Sequence, residues 1–107
     1  MVDQSIELID YDSTWPARFV EQKTPLTMIL NPWLAREIEH IGSTSVPGLR
    51  SKPIVDILAP VHSLAASRAA MPILEGDGWL FWPDDPNQDY RLWFLDRTPR
   101  RALTTYR

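Results

Sequence analysis

The chain of 107 residues has no cysteine, which excludes disulfides and thiolate metal sites. It has no stretch near the roughly 20 apolar residues of a membrane span, and Met1 to Asp10 is too acidic and too poor in apolar residues for a secretory leader. Positive charge is not in excess. Eleven Lys and Arg against fourteen Asp and Glu leave a net charge of −3, whereas a general nucleic-acid binder carries a basic footprint that neutralises phosphates. Internal repeats and low-complexity segments are also missing. These absences leave one small domain with a modest core, no membrane partner, nucleic acid as a disfavoured partner, and a cytoplasmic location as the expectation.

What is there reads as alternating strands and helices. Ile6 to Ile9 alternates like a short strand, and Tyr11 to Thr14 supplies turn and N-cap chemistry. Trp15, Phe19, Leu26 and Leu30 recur on one helical face, but Pro25 removes a hydrogen bond and clashes with the preceding turn, which predicts an end or kink near Lys23. Asn31-Pro32 marks a loop, and Ile38 to Ile41 is strand-like. Beyond Pro60, Ser63 is placed to cap a helix over Leu64 to Leu74, which Gly76-Asp77-Gly78 stops. Trp79 to Trp82 and Tyr90 to Leu95 form a hairpin. The loop acids Asp84, Asp85 and Asp89 lack calcium-loop spacing and read as a polar loop.

The stretch from His40 to Asp56 is the part whose residues suit chemistry more than packing. Gly42 lets the backbone take positive φ, and the N–H groups of Ser43, Thr44 and Ser45 can converge on an anion, with three hydroxyls beside them. Lys52 can reach a phosphate from a few residues away. A period of two places Ile54, Asp56 and Leu58 on one face of a strand and Val55 with Ile57 on the other, so Asp56 needs a cation, hydrogen bonds or an open strand end. The same Gly-Ser-Thr-Ser residues are also ordinary turn formers. His40 can serve as an acid or base, or simply hold the turn.

His-Ile-Gly-Ser-Thr-Ser-Val-Pro-Gly-Leu (His40 to Leu49) followed by Lys-Pro-Ile-Val-Asp-Ile (Lys52 to Ile57) resembles the signature of the GrpB family, small bacterial proteins related to the nucleotidyltransferase superfamily. Tyr11-Asp12, Trp15-Pro16 and Phe19 resemble that family's opening, and the resemblance extends to about Leu95. It implies an α/β (α+β) fold, a nucleotidyltransferase-like mixed sheet with flanking helices. That superfamily sets a Gly-Ser turn before two strand acids spaced by one residue, which together hold a magnesium ion that also touches the nucleotide phosphates. The resemblance carries over Gly42, Ser43 and Asp56 but finds Leu58 at the second acid. It thus implies Asp56 as catalytic residue and magnesium ligand and Gly42 and Ser43 at the phosphates, and the residue reading adds Thr44, Ser45 and Lys52 to the expected phosphate cradle.

Past the hairpin the GrpB family continues into a strand with a Thr-His-His-Leu-His type motif, with which Arg101 to Tyr106 does not align as it stands. One legal set of codons for those residues, CGC GCA CTC ACC ACC TAC, gives Arg-Thr-His-His-Leu when read two bases later. The expectation is therefore a domain over residues 1–96, incomplete at its C-terminus, and a solvated basic tail over 97–107 of frameshift origin; other codons in the gene would dispose of that origin. Five of the eleven basic residues, Arg91, Arg97, Arg100, Arg101 and Arg107, fall in the last seventeen positions. A sheet short of a strand would expose apolar surface and favour a homodimer through it. The functional expectation is magnesium-dependent binding of a nucleotide or other phosphate-containing small molecule, or nucleotidyl transfer. The alternatives are a nucleotide- or coenzyme-binding module without turnover and an inactive truncated fragment.

Overall fold

A computed structural model describes residues 8–96 and 100–106. Most of the expected strand at Ile6 to Ile9 lies outside these residues; Ile9 itself bridges to Ser51. The elements run α1 (Trp15–Leu30), β1 (Glu39–Ile41), a 3-10 turn (Ser43–Ser45), β2 (Val55–Pro60), α2 (Leu64–Ser67), a 3-10 turn (Arg68–Ala70), α3 (Met71–Gly76), β3 (Leu80–Phe81), β4 (Arg91–Leu95) and β5 (Arg101–Tyr106). The strands form one five-stranded mixed sheet in the order β1-β2-β5-β4-β3. Only β2 and β5 pair in parallel. The α+β architecture expected from the sequence is the one observed.

Helix α1 does not stop near Lys23. It continues through Pro25 to Leu30, and Trp15, Leu26 and Leu30 are completely buried. A proline inside a helix costs about 3 kcal/mol. Burying Leu26 and Leu30 returns about 1.5–3 kcal/mol each, so packing of the second half outweighs the break. At the N-terminus the capping chemistry comes from Asp12, whose Oδ1 accepts from both the amide (2.8 Å) and the hydroxyl (2.7 Å) of Thr14. Ser63 caps α2 as expected, accepting from the amide of Ala66 at 3.1 Å.

The largest correction concerns the end of the chain. Arg101–Tyr106 is the middle strand of the sheet, parallel to β2 from Val55↔Arg101 to Pro60↔Tyr106 and antiparallel to β4 from Arg91↔Tyr106 to Leu95↔Ala102. Ala102, Leu103 and Thr105 are buried within it. The clustered arginines suggested a solvated tail, but the uncharged run from Ala102 to Tyr106 has two β-branched residues and an aromatic, which suit a pleated, half-buried surface. Arg101 is held by Asp96 (Nε to Oδ2, 2.9 Å) and lies 4.0 Å from the ring centroid of Trp79.

The core lies on one side of the sheet. Val55, Ile57, Leu92, Phe94 and Leu103 point into it and meet Trp15, Leu26 and Leu30 of α1, Leu74 of α3, and Trp79. The residues between them, Asp56 and Leu58 on β2, Thr104 on β5, and Trp93 and Leu95 on β4, occupy the opposite face and are only partly buried. Among the described residues no helix packs on that face. No helix of the described residues is long and apolar enough to cross a membrane.

Candidate functional site

The site begins with the end of β1. Ile41 pairs with Asp56, so the chain leaves β1 beside that carboxylate. Gly42 takes φ 73 and ψ −171, a conformation essentially reserved for glycine. A Cβ placed there would meet Asp56 Oδ2 at 2.5 Å. The glycine is thus required twice, by its dihedral angles and by the carboxylate against it. The turn then closes on itself: the amide of Ser45 donates to Gly42 O (3.1 Å) and that of Val46 to Ser43 O (3.2 Å).

The three hydroxyls of the turn part company. Thr44 is buried, and its hydroxyl donates to Ile54 O at 3.0 Å. That hydroxyl has a single hydrogen, so at 2.9 Å His40 Nε2 must be the donor to Thr44 Oγ1, which assigns the neutral ring its Nε2–H tautomer. The ring also stacks on Phe19, with centroids 5.1 Å apart and planes inclined by 15°. Burial lowers the His40 pKa from its ordinary value. Of the two roles open to His40, the geometry shows the one that holds the turn. Ser45 turns its hydroxyl back onto Gly42 O at 2.5 Å. The expected cradle of three hydroxyls therefore narrows to Ser43, with Thr44 and Ser45 engaged inside the turn.

Ser43 faces a cleft of about 250 Å³ that it shares with Leu8, Arg50, Ser51, Lys52, Ile54 and Asp56. Four of the residues singled out by sequence, Gly42, Ser43, Lys52 and Asp56, are thereby brought together. Two further members were missed. Ser51 is buried, places its hydroxyl 2.9 Å from Ser43 Oγ and 2.8 Å from Lys52 O, and is held by paired backbone hydrogen bonds with Ile9. Arg50 reaches Asp10 (3.3 Å) and Leu8 O (3.2 Å) from the rim. The sequence signal was the alternation Arg50-Ser51-Lys52, but only the bridge to Ile9 turns it into a wall.

Burial raises the Asp56 pKa. Among the described residues no three His, Asp or Glu side chains come together in a way that could hold a metal. One carboxylate with Lys52 and Arg50 lining the same cleft does not make a site for a free magnesium ion, which demands near-octahedral oxygen ligands. On the sheet face beside Asp56 stand Ile41, Leu58, Ala102 and Thr104, and the acid of that face is Glu39, exposed and paired with Leu58 from β1.

A larger cleft, about 610 Å³, opens elsewhere between α1 and the start of β5. Half of its six charged side chains have partners: Arg101 with Asp96, Gln22 and Asp77 O, and Arg18 with Asp12 at 3.8 Å. The Gly-Ser turn and Asp56 lie outside it. The acids of the loop before β4 are likewise structural. Asp85 receives Arg91 Nε at 2.9 Å and its terminal nitrogen at 3.1 Å, which supports the polar-loop reading.

A five-stranded mixed sheet with helices on one face and a Gly-Ser turn abutting a strand carboxylate on the other defines a small α+β domain. The family model described as "GrpB protein" matches residues 5–106, and the chain belongs to the GrpB family. That match takes in β5, so the likeness does not end near Leu95 as the sequence motifs alone implied. A UPF0157 protein of Pseudomonas aeruginosa is 40% identical over 99 residues, covering 91% of this chain and 39% of the relative. Another from Halalkalibacterium halodurans is 39% identical over 93 residues, covering 87% and 45%. The crystal structure of conserved protein GrpB from Enterococcus faecalis superposes with a TM-score of 0.86 at 26% identity, over 94% of this chain and 61% of that one. The chain spans less than half the length of the two curated relatives.

Proposed function

We propose that the cleft lined by Ser43, Arg50, Lys52 and Asp56, with Gly42 behind the carboxylate, binds the polyphosphate of a nucleotide as its magnesium complex. The observation that carries this reading is the presence, in one small cleft, of two cations and a partly buried carboxylate whose pKa burial raises. Phosphate alone would suit Lys52 and Arg50 but face the like charge of Asp56. A free cation would suit Asp56 and meet Lys52. A magnesium polyphosphate carries both signs, and magnesium commonly takes one or two carboxylates together with substrate phosphates. Ser43 adds a hydroxyl at the cleft, and Lys52 acts as a flexible point charge.

Nucleotidyl transfer asks more of the site, because a second strand acid normally shares the metal and the developing charge. Leu58 stands where that acid would be useful, between Thr104 of β5 and Glu39 of β1, and Glu39 is exposed and one row removed from Asp56. Binding without transfer is the reading these residues favour. Calorimetric titration of the folded protein with ATP, GTP, CTP and UTP, each with and without magnesium, tests it. Saturable binding strengthened by magnesium is expected. Asp56→Asn should remove the strengthening, and Lys52→Ala should weaken binding with or without the metal. A folded chain that binds none of the four would sink the reading.

A further inference from the structure

The sheet face that carries Asp56 continues away from the cleft as an aromatic surface on which, among the described residues, no helix packs. In register, Asp56 stands beside Ala102 and then Leu95; the next row holds Leu58, Thr104 and Trp93. Trp93 is partly buried, and Trp82 of the preceding hairpin strand leans against it edge-on at 5.9 Å while remaining 38% exposed. Between Asp56 and Trp93 the floor is made of the small side chains of Ala102 and Thr104. Two strand intervals across and two residues along put Trp93 roughly 12 Å from Asp56. A nucleoside polyphosphate has the length to join those two points.

We infer that Trp93, buttressed by Trp82, is the stacking platform for the base of the nucleotide whose polyphosphate enters the Lys52–Asp56 cleft. The inference rests on the proposed function and names its ligand class as a phosphate ester carrying a planar aromatic ring. An indole face left bare on a sheet is an apolar surface in water, and a flat ring covers it with favourable geometry. Every nucleobase has such a face, so the platform tolerates base identity and sets affinity more than specificity. The face is continuous with the charged cleft across Ala102, so one nucleotide reaches both. Arg91, already paired with Asp85, borders the platform on β4.

The test compares magnesium ATP with magnesium tripolyphosphate, a probe without a base, on wild type, Trp93→Thr and Trp93→Phe. Threonine keeps a β-branched residue in the strand and phenylalanine keeps a ring. Wild type should bind ATP about tenfold more tightly than tripolyphosphate, a difference within what stacking on an aromatic side chain supplies. Trp93→Thr should erase that difference while leaving tripolyphosphate affinity unchanged, and Trp93→Phe should keep most of it. Should Trp93→Thr not fold, Trp82→Ala should still reduce the preference for ATP. Equal affinity for the two ligands in wild type, or a preference untouched by Trp93→Thr and Trp82→Ala, would overturn the inference and leave the cleft standing. Failure of tripolyphosphate and ATP alike removes the cleft reading itself. A dimer, seen by sedimentation, that Trp93→Thr dissociates would assign the face to a second copy and also overturn the inference.

Discussion

Gly42 and Asp56 are fitted to each other: the Asp56 carboxylate occupies the place where a side chain on residue 42 would begin, 2.5 Å from an ideal Cβ. Gly42→Ala must therefore move the carboxylate and also hold alanine at φ 73. The backbone conformation alone should cost about 1–3 kcal/mol in denaturant-unfolding experiments. Truncating Asp56 to alanine as well should recover the steric share and leave the backbone share, a coupling that a double-mutant cycle reads directly. Strict additivity of the two substitutions would show that the contact carries no energy.

Asp56 makes the free protein less stable at neutral pH than an uncharged residue would. Its folded pKa is raised by burial, so the folded state holds the proton more tightly than the unfolded chain does. The resulting stability is fully present below the unfolded pKa and is lost as pH rises through the folded one. Asp56→Asn should accordingly unfold at higher denaturant concentration than wild type near pH 7, with the gain shrinking as the pH is lowered toward 4. A difference constant across that range would contradict this.

The hydrogen bonds from His40 to Thr44 and from Thr44 to Ile54 O hold the turn. Thr44→Val keeps the shape and strands both partners, which should destabilise by about 1–3 kcal/mol. Because burial lowers the His40 pKa, the sign for pH is opposite to that of Asp56. Its contribution is present above the unfolded value near 6.5 and fades as pH falls through the folded one. A loss of stability on acidification through this range, absent in His40→Gln, is the expected titration signature.

Strand β5 joins the two halves of the sheet, β1-β2 on one side and β4-β3 on the other. Leu103, fully buried, should cost about 2–5 kcal/mol as Leu103→Ala, a large part of the stability of a domain this size. A chain ending at Arg100 should show no cooperative thermal transition. Retention of a sharp transition would mean that the last strand is dispensable.

Pro25→Ala offers the complementary test on α1. Alanine restores the missing N–H and removes the clash, so the variant should melt at higher temperature, the gain bounded by the roughly 3 kcal/mol a helical proline costs. A lower melting temperature would show that the helix has adapted its packing to the ring.

Several elements were legible before any coordinates because they depend on neighbours in sequence. The parity of Ile54 to Leu58, the Ser63 cap, the hairpin of β3 with β4 and the polar loop at Asp85 all follow from local spacing and turn chemistry. Gly42, Ser43, Lys52 and Asp56 were marked together because they sit within one short span. Thr44 and Ser45 could not be separated from Ser43 in the same way: consecutive hydroxyls look alike until the turn directs one inward to Ile54 O, one back to Gly42 O and one to the cleft.

The sequence by itself determined the family, the α+β class and the glycine that must stand before the strand carboxylate, since each rests on residue identity at fixed short spacing. Only the tertiary structure decided that Arg101–Tyr106 is a central strand, that α1 passes through Pro25, and that Ser51 walls the cleft. Those outcomes turn on burial against residues distant in the chain. Strand pairing with β2 and β4 outweighs the local charge around Arg101, and packing of Leu26 and Leu30 outweighs one lost helical hydrogen bond.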